Sequence, residues 1–340
     1  MKKNGKIIWL SAMLLLSMTG CSGNSSRLQS EEAVIESEVS SAMPTKIPET
    51  TAETATSIKT EIKIPDGKET DAAIAGQPHP MDDYPRVDGS TATIPLSEQY
   101  AADMMGVPIE EARLYIYHNR THEAYINLIE GNADIIFVTA PSEVVQQQAR
   151  SAGVELEIIP VVTEGFVFLV NRQNPVRDLT RQEVVGIYSG SITNWSEVGG
   201  QDQEIIPYQR PDNSGSQSGM LELVMGETPL MKAPEQYLLS YMGELVDAVA
   251  AYETGKNGIG YSYYYYAATM YEKEDVDFLA VDGIIPGRET IQNGSYPYTT
   301  SYYAVIRKDE PETSKARILL EWIKENGDTS AIKAGYIPTK

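Results

Sequence analysis

The chain has 340 residues, 27 Lys and Arg against 48 Asp and Glu, a formal net charge of −21 and one cysteine. A field this acidic argues against nucleic acid or an anionic membrane surface as the ligand, and a lone cysteine excludes an internal disulfide. Any bound anion must be held by local dipoles and a few placed cations against a repulsive overall field.

Lys2, Lys3 and Lys6 precede an apolar run over 7–16, followed by Ser17-Met18-Thr19-Gly20-Cys21. A basic start, a short apolar stretch and small residues form the pattern of a secretory signal, and the run is short for a membrane span. The cysteine directly after Thr-Gly resembles the lipobox of bacterial lipoproteins. That resemblance implies a signal peptide over 1–20 and acylation of Cys21, where a thiolate supplies the nucleophile. Removing three lysines and no acid takes the net charge from −21 to −24. Each buried CH₂ of an acyl chain contributes about 0.8 kcal/mol, so more than one chain makes the anchor stable. The expected location is the extracytoplasmic face of a bacterial cell membrane, anchored through Cys21. Residues 21–80 are rich in Ser, Thr, Glu, Pro and Ala, with no Phe, Tyr or Trp between Trp9 and Tyr84. Such a segment buries too little apolar surface to offset its ordering entropy, and is expected to be a disordered, lipidated tether.

From residue 81 onward the pattern changes. Apolar runs at 113–117, 133–138, 156–160, 165–170, 205–208, 259–261 and 302–306 read as buried strands. Helical patterns fall at 97–105, 123–130, 142–152, 180–188, 219–225, 243–254 and 314–325. Strand and helix in alternation predict an α/β fold with mixed, mostly parallel sheets flanked by helices. The polar turn at 171–175 suggests a boundary between two lobes, and Pro286, Gly287, Gly294 and Pro297 mark a return crossing. The solute-binding domain is expected over 81–340, with lobe 1 at about 81–170 plus 290–340 and lobe 2 at about 171–289.

Three stretches carry candidate chemistry. Gly89 permits a tight turn, Ser90, Thr91 and Thr93 follow it, and Pro95 suits a helix start. Exposed amides at a helix start beside hydroxyls make an anion site, although an ordinary capped turn has the same composition. Arg210 heads a loop that also holds Asp212, Ser214, Gly215 and Ser216. Its guanidinium offers a planar fork of donors for an oxyanion, Asp212 is close enough in sequence to orient it, and Gly215 permits close backbone approach. Arg120-Thr121-His122 opens the third stretch, where Thr121 is a good N-cap for the following helix and offers a hydroxyl to a ligand.

With these in view, the chain resembles the phosphate-binding proteins of ABC phosphate importers. The 187–200 stretch containing Ile192-Thr193-Asn194-Trp195, the upstream 174–180 segment and Gly258-Ile259-Gly260-Tyr261 look like that family. The Arg210-x-Asp212-x-Ser214-Gly215-Ser216 loop is similar to its second phosphate loop and the Gly89-Ser90-Thr91 turn to its first. The resemblance covers roughly 84–337 and implies a two-lobed, periplasmic-binding-protein-like (type II) fold. It further implies that Ser90, Thr91 and Thr121 donate from the first lobe, that Arg210, Ser214, Gly215 and Ser216 donate from the second lobe or the cleft wall, and that Asp212 orients Arg210. The family commonly places an aspartate before an Ala-Pro pair; here Thr139 precedes Ala140-Pro141. A threonine accepts a hydrogen bond without charge repulsion, leaving Glu164 or Asp88 as substitute acceptors.

The resulting expectation is a lipoprotein that captures phosphate or a similar oxyanion by hinge closure and delivers it to an ABC transporter permease. It is expected to be a monomer, with no cofactor, metal, nucleic acid or catalytic residue. A serine hydrolase fails on inventory, with His79, His118 and His122 the only histidines and no Gly-x-Ser-x-Gly elbow in a fitting place. The spacing of His118 and His122 suits zinc on a helix, but no third ligand suggests itself. An envelope sensor or interaction protein with the same fold is the alternative. The 21 tyrosines against 4 phenylalanines, dense at Tyr261 and Tyr263 to Tyr266, either line the cleft or pack at lobe surfaces.

Overall fold

The computed structural model describes residues 80–251 and 255–339. The expected signal peptide, the acylation site at Cys21 and nearly all of the tether lie outside the described residues. Among the described residues no helix is long and apolar enough to cross a membrane.

The first half of the sheet is built from β1 (Val87–Gly89), β2 (Ile135–Val138) and the N-terminal part of β3 (Leu156–Asn171). Its helices are α1 (Ile94–Met105), α2 (Ile109–Ala112), α3 (Thr121–Ile129) and α4 (Glu143–Ala152). The second half contains β4 (Asp178–Leu179), α5 (Arg181–Ser189), β5 (Ile206–Pro207), α6 (Gly215–Gly219), α7 (Met242–Ala250), β6 (Gly258–Tyr263), β7 (Val276–Phe278) and β8 (Ala280–Val281). The chain then returns through α8 (Arg288–Gln292), β9 (Thr299–Arg307), α9 (Lys315–Lys333) and β10 (Ile337–Pro338).

The main strand order is β1-β2-β9-β3-β6-β5. Parallel pairs join β1 to β2, β5 to β6 and β4 to β8. Antiparallel pairing is concentrated on the long strands β3 and β9 and their neighbours. The two-lobed mixed α/β architecture is the one expected; strand–helix alternation carries no information about the long ribbons that pass between lobes. Two separate runs were expected at 156–160 and 165–170, and they form one 16-residue strand. Its residues up to Gly165 pair with β9, and those from Phe166 pair with β6. The change of partner therefore falls inside β3, five residues before the polar turn at 171–175.

Burial along β3 explains the continuity. The first residues alternate in exposure, as on a sheet with one wetted face, whereas Gly165 to Asn171 are buried throughout, as on a strand covered from both sides. The run expected as a strand at 113–117 is instead a 3₁₀ turn over Arg113–Tyr115 continuing from α2; only Ile116 bridges to Val87. The charge pattern overrides the apolar one here, because Arg113 is drawn to Glu98 of α1 at 2.8 Å.

Most of the tyrosine surplus is core. Tyr261 stacks on Phe166 with centroids 5.5 Å apart, Tyr188 meets Phe168 and Tyr261, and Tyr263 meets Tyr302 edge-on at 5.4 Å. All six are buried, and each aromatic pair contributes about 0.5–1.5 kcal/mol beyond its area. The Asn194–Trp195 segment is likewise structural: Trp195 is buried and donates through Nε1 to the Asn257 carbonyl at 2.9 Å.

Glu164 sits at the crossing. It is buried, accepts from the amides of Gly165 at 2.7 Å and Tyr265 at 3.2 Å, and so ties β3 to the chain leaving β6. Burial is the main cause that pushes its carboxyl up to about 7. Its neighbours are the hydroxyls of Tyr302, Tyr263, Tyr265 and Tyr336. Arg288, which lines the same small cavity, donates instead to the carbonyls of Gly335 and Tyr336. Between about pH 4.5 and 7 the folded protein thus binds more protons than the unfolded chain, and stability falls as pH rises through this window. Glu164→Gln is expected to flatten that slope and to be more stable than wild type by about 2–3 kcal/mol at pH 8. Urea unfolding at pH 4, 6 and 8 measures it; parallel curves for the two proteins would place the titration elsewhere.

Candidate functional site

One cavity of about 460 Å³ lies between the two halves of the sheet. Ser90 and Thr91 reach it from the turn between β1 and α1, Thr121 from the first residue of α3, and Thr139 from the end of β2. Arg210, Ser214, Gly215 and Ser216 reach it from the loop between β5 and α6. Eight of the nine expected ligand-binding residues therefore share one wall system.

Local chemistry fixes each of these loops. The Ser90 amide donates to the Phe137 carbonyl at 2.9 Å, and Thr93 Oγ1 donates to the same oxygen at 2.7 Å. Asp88 fastens this turn to α3. Its Oδ1 accepts from the amides of Gly89 at 2.7 Å and Asn119 at 2.8 Å, and its Oδ2 accepts from the side-chain amides of Asn119 at 2.9 Å and Asn127 at 2.7 Å. Four donors occupy both oxygens, so Asp88 is a structural clamp and not an acceptor for ligand. Glu164 is absent from the cavity lining as well. Neither carboxylate stands in for the family's aspartate.

On the opposite wall, β6 holds the Arg210 loop. The Arg210 amide donates to the Tyr261 hydroxyl at 2.9 Å, Tyr261 in turn pairs with Gln217 Oε1, and the Tyr263 hydroxyl donates to the Gly215 carbonyl at 3.0 Å. Ser214 caps α6, its Oγ accepting from the Gln217 amide at 3.2 Å. That use leaves the hydroxyl proton free to donate elsewhere.

The walls are in close approach at Gly215. A β-carbon there would stand 2.4 Å from Thr121 Oγ1 and 2.8 Å from Thr139 Oγ1. Only glycine permits this contact, and the two hydroxyls converge on the loop that carries Arg210.

Arg210 is 5 % exposed. Its Nη2 donates to the Ser240 carbonyl at 3.1 Å, while Nε and Nη1 are buried with no hydrogen-bond partner, as is Ser216 Oγ. Burial lowers the guanidinium's pKa, and the charge of Arg120 acts in the same direction; an arginine nevertheless stays protonated. A buried cation with two unpaired donors is costly unless an anion meets it.

A family model described as a PBP superfamily domain matches residues 50–325. The chain belongs to this superfamily. Within it, the phosphate-binding protein PstS of Bacillus subtilis is 27% identical over 181 residues, covering 52% of this chain and 56% of that protein. The PstS of Staphylococcus saprophyticus is 23% identical over 259 residues, covering 74% and 78%. Among solved structures, one from Clostridium perfringens, described as a phosphate ABC transporter substrate-binding protein with bound phosphate, is 25% identical. It superposes with a TM-score of 0.59 over 75% of this chain and 98% of that one. An ABC-type phosphate transport receptor from Vibrio cholerae shares the superfamily fold at 21% identity and a TM-score of 0.56, over 74% and 98%.

Two expectations need correction against this superfamily site. Asp212 does not orient Arg210: it is exposed, lies outside the cavity lining, and no ion pair or hydrogen bond joins the two. The Ser240 carbonyl takes that place, accepting from Arg210 Nη2 at 3.1 Å. Thr121 does not cap α3. The N-cap position is Arg120, at φ 72° and ψ 166° with no side-chain cap bond, and Thr121 is the first helical residue. Its hydroxyl is thereby available at Gly215. The structure also adds Arg120, Tyr241, Met242, Tyr263 and Tyr266 to the wall. Arg120 belongs to the third candidate stretch, and Tyr263 and Tyr266 to the tyrosine cluster read as lining the cleft or packing at lobe surfaces; Tyr241 and Met242 carry no motif.

Because two of its three nitrogens are unpaired, Arg210→Met is expected to stabilise the unliganded protein by about 1–3 kcal/mol. Urea unfolding without added anion measures this; a clear loss of stability would make Arg210 a structural fastener.

Proposed function

We propose that this chain is an extracytoplasmic binding protein that captures phosphate and passes it to the permease of an ABC importer. The observation that carries the reading is the buried Arg210 guanidinium, its Nε and Nη1 unpaired, beside a cavity rimmed by serine and threonine hydroxyls. Arg210, Ser214, Gly215 and Ser216 bind from one lobe, and Ser90, Thr91, Thr121 and Thr139 from the other. Each hydrogen bond to a charged ligand contributes about 1.5–3 kcal/mol in such a dry shell. Similarity to proteins named for phosphate binding supports the same reading.

The lobes comprise about 81–170 plus 290–340 and about 171–289, hinged where β3 changes partners. Closure brings Gly215 onto Thr121 and Thr139 and sequesters the ligand. Residues 1–20 act as a lipoprotein signal, Cys21 carries the lipid at the membrane surface, residues 21–80 tether the domain, and the protein works as a monomer. The cavity binds and does not catalyse.

Calorimetric titration with inorganic phosphate tests the proposal. Wild type is expected to bind, and Arg210→Met to lose about 2–5 kcal/mol of binding free energy. Equal affinity in the two proteins would sink the assignment. Gly215→Ala is expected to weaken phosphate binding by about tenfold or more, because its methyl group props the lobes apart. Unchanged affinity for this variant would show that closure does not need the contact.

A further inference from the structure

We infer that the preferred ligand is a phosphate that carries an organic substituent, a phosphomonoester or phosphonate dianion, with its R group in the outer part of the cavity. The inference rests on the oxyanion reading above and deepens it. Its first support is size. A tetrahedral oxyanion displaces about two waters' worth of volume, roughly 60 Å³, whereas the cavity measures about 460 Å³, in the range of small-molecule pockets.

The second support is the order of residues with depth. Arg210, Ser216, Thr139 and Ser90 are buried, and form the polar inner end. Arg120, Tyr241 and Met242 complete the outer end, with Tyr241 57 % exposed. There the Arg120 guanidinium, which reaches across from the other lobe, lies 5.8 Å from the Tyr241 ring centroid. Arg120 holds φ 72° and ψ 166°, a backbone region costly for any residue with a side chain. A strained arginine facing an aromatic ring across the mouth makes a wall for a substituent, where a bare oxyanion needs none.

The third support is proton placement. Near neutral pH inorganic phosphate retains at least one O–H that needs an acceptor. The only carboxylate in the lining is Glu123, exposed at the mouth, so the buried end offers that proton only neutral acceptors such as the Thr139 hydroxyl. A monoester dianion, with a second pKa near 6, has three terminal oxygens and no proton to place. Its fourth substituent leaves the donor-rich end and enters the outer chamber.

The test is a calorimetric comparison on the full chain with inorganic phosphate, sulfate, glycerol 3-phosphate and phenyl phosphate, in wild type, Tyr241→Ala, Tyr241→Phe and Arg120→Ala. At least one monoester is expected to bind about tenfold or more tighter than phosphate and sulfate. Tyr241→Ala and Arg120→Ala should shrink that ratio by about tenfold, and Tyr241→Phe should preserve it. The ratio is the readout because a general effect on closure moves all four ligands together. Phosphate or sulfate binding as tightly as both monoesters, or a ratio indifferent to Tyr241 and Arg120, overturns the inference and leaves oxyanion capture standing. Failure of all four to bind overturns both.

Discussion

A charged guanidinium held out of water with two of its three nitrogens unmatched is the constraint around which the rest of this molecule is arranged. Arg210 sits at the end of a short strand, on a loop fastened to β6 by the hydroxyls of Tyr261 and Tyr263. Those tyrosines are in turn locked by Phe166, Phe168 and Tyr188 in the core. An unpaired buried charge persists only where the surrounding fold is rigid enough to prevent its escape to solvent. The aromatic tier under the loop supplies that rigidity, and Tyr261 and Tyr263 each contribute ring area inward and a hydroxyl to a backbone group of the loop.

The opposite wall is organised by a second buried charge with the reverse economy of bonds. Asp88 is surrounded by four donors and has nothing left for a ligand. Its work is to bring the β1–α1 turn and the start of α3 into one surface, so that Ser90, Thr91 and Thr121 face the Arg210 loop. Buried ions of opposite sign thus occupy the two lobes, one satisfied and one not. On the reading proposed above an anion completes the unsatisfied one, and a net charge of −21 opposes this little because exposed acids are screened over about 8–10 Å.

The joint between the lobes has its own logic. β3 runs uninterrupted from one set of partners to the other, and Glu164 ties it to the chain leaving β6. A continuous strand lets the lobes rotate without breaking the sheet, and bending at one or two residues absorbs the motion. Burial of the Glu164 carboxyl at that point pushes its pKa up to about 7.

Much of this was readable from residue order. The α/β class, the two hydroxyl-rich loops, Arg210 and the glycine at 215 follow from alternation, turn chemistry and donor geometry, which are local properties. Residue order misjudged Asp212, because proximity in sequence does not fix which way a loop residue points once α6 has started. It misread 113–117, because a run of apolar residues is silent about the Glu98 that draws Arg113 into a turn. It gave no hint of Ser240, Tyr241 or Met242 at the site, since they arrive from a helix start about 30 residues from Arg210. What the sequence determined alone was the supply of donors and the elements that carry them. Only the tertiary structure decided which donors are left unpaired, which acids are already spent, and how much room lies beside the anion, because burial and partnership are properties of packing between segments distant along the chain.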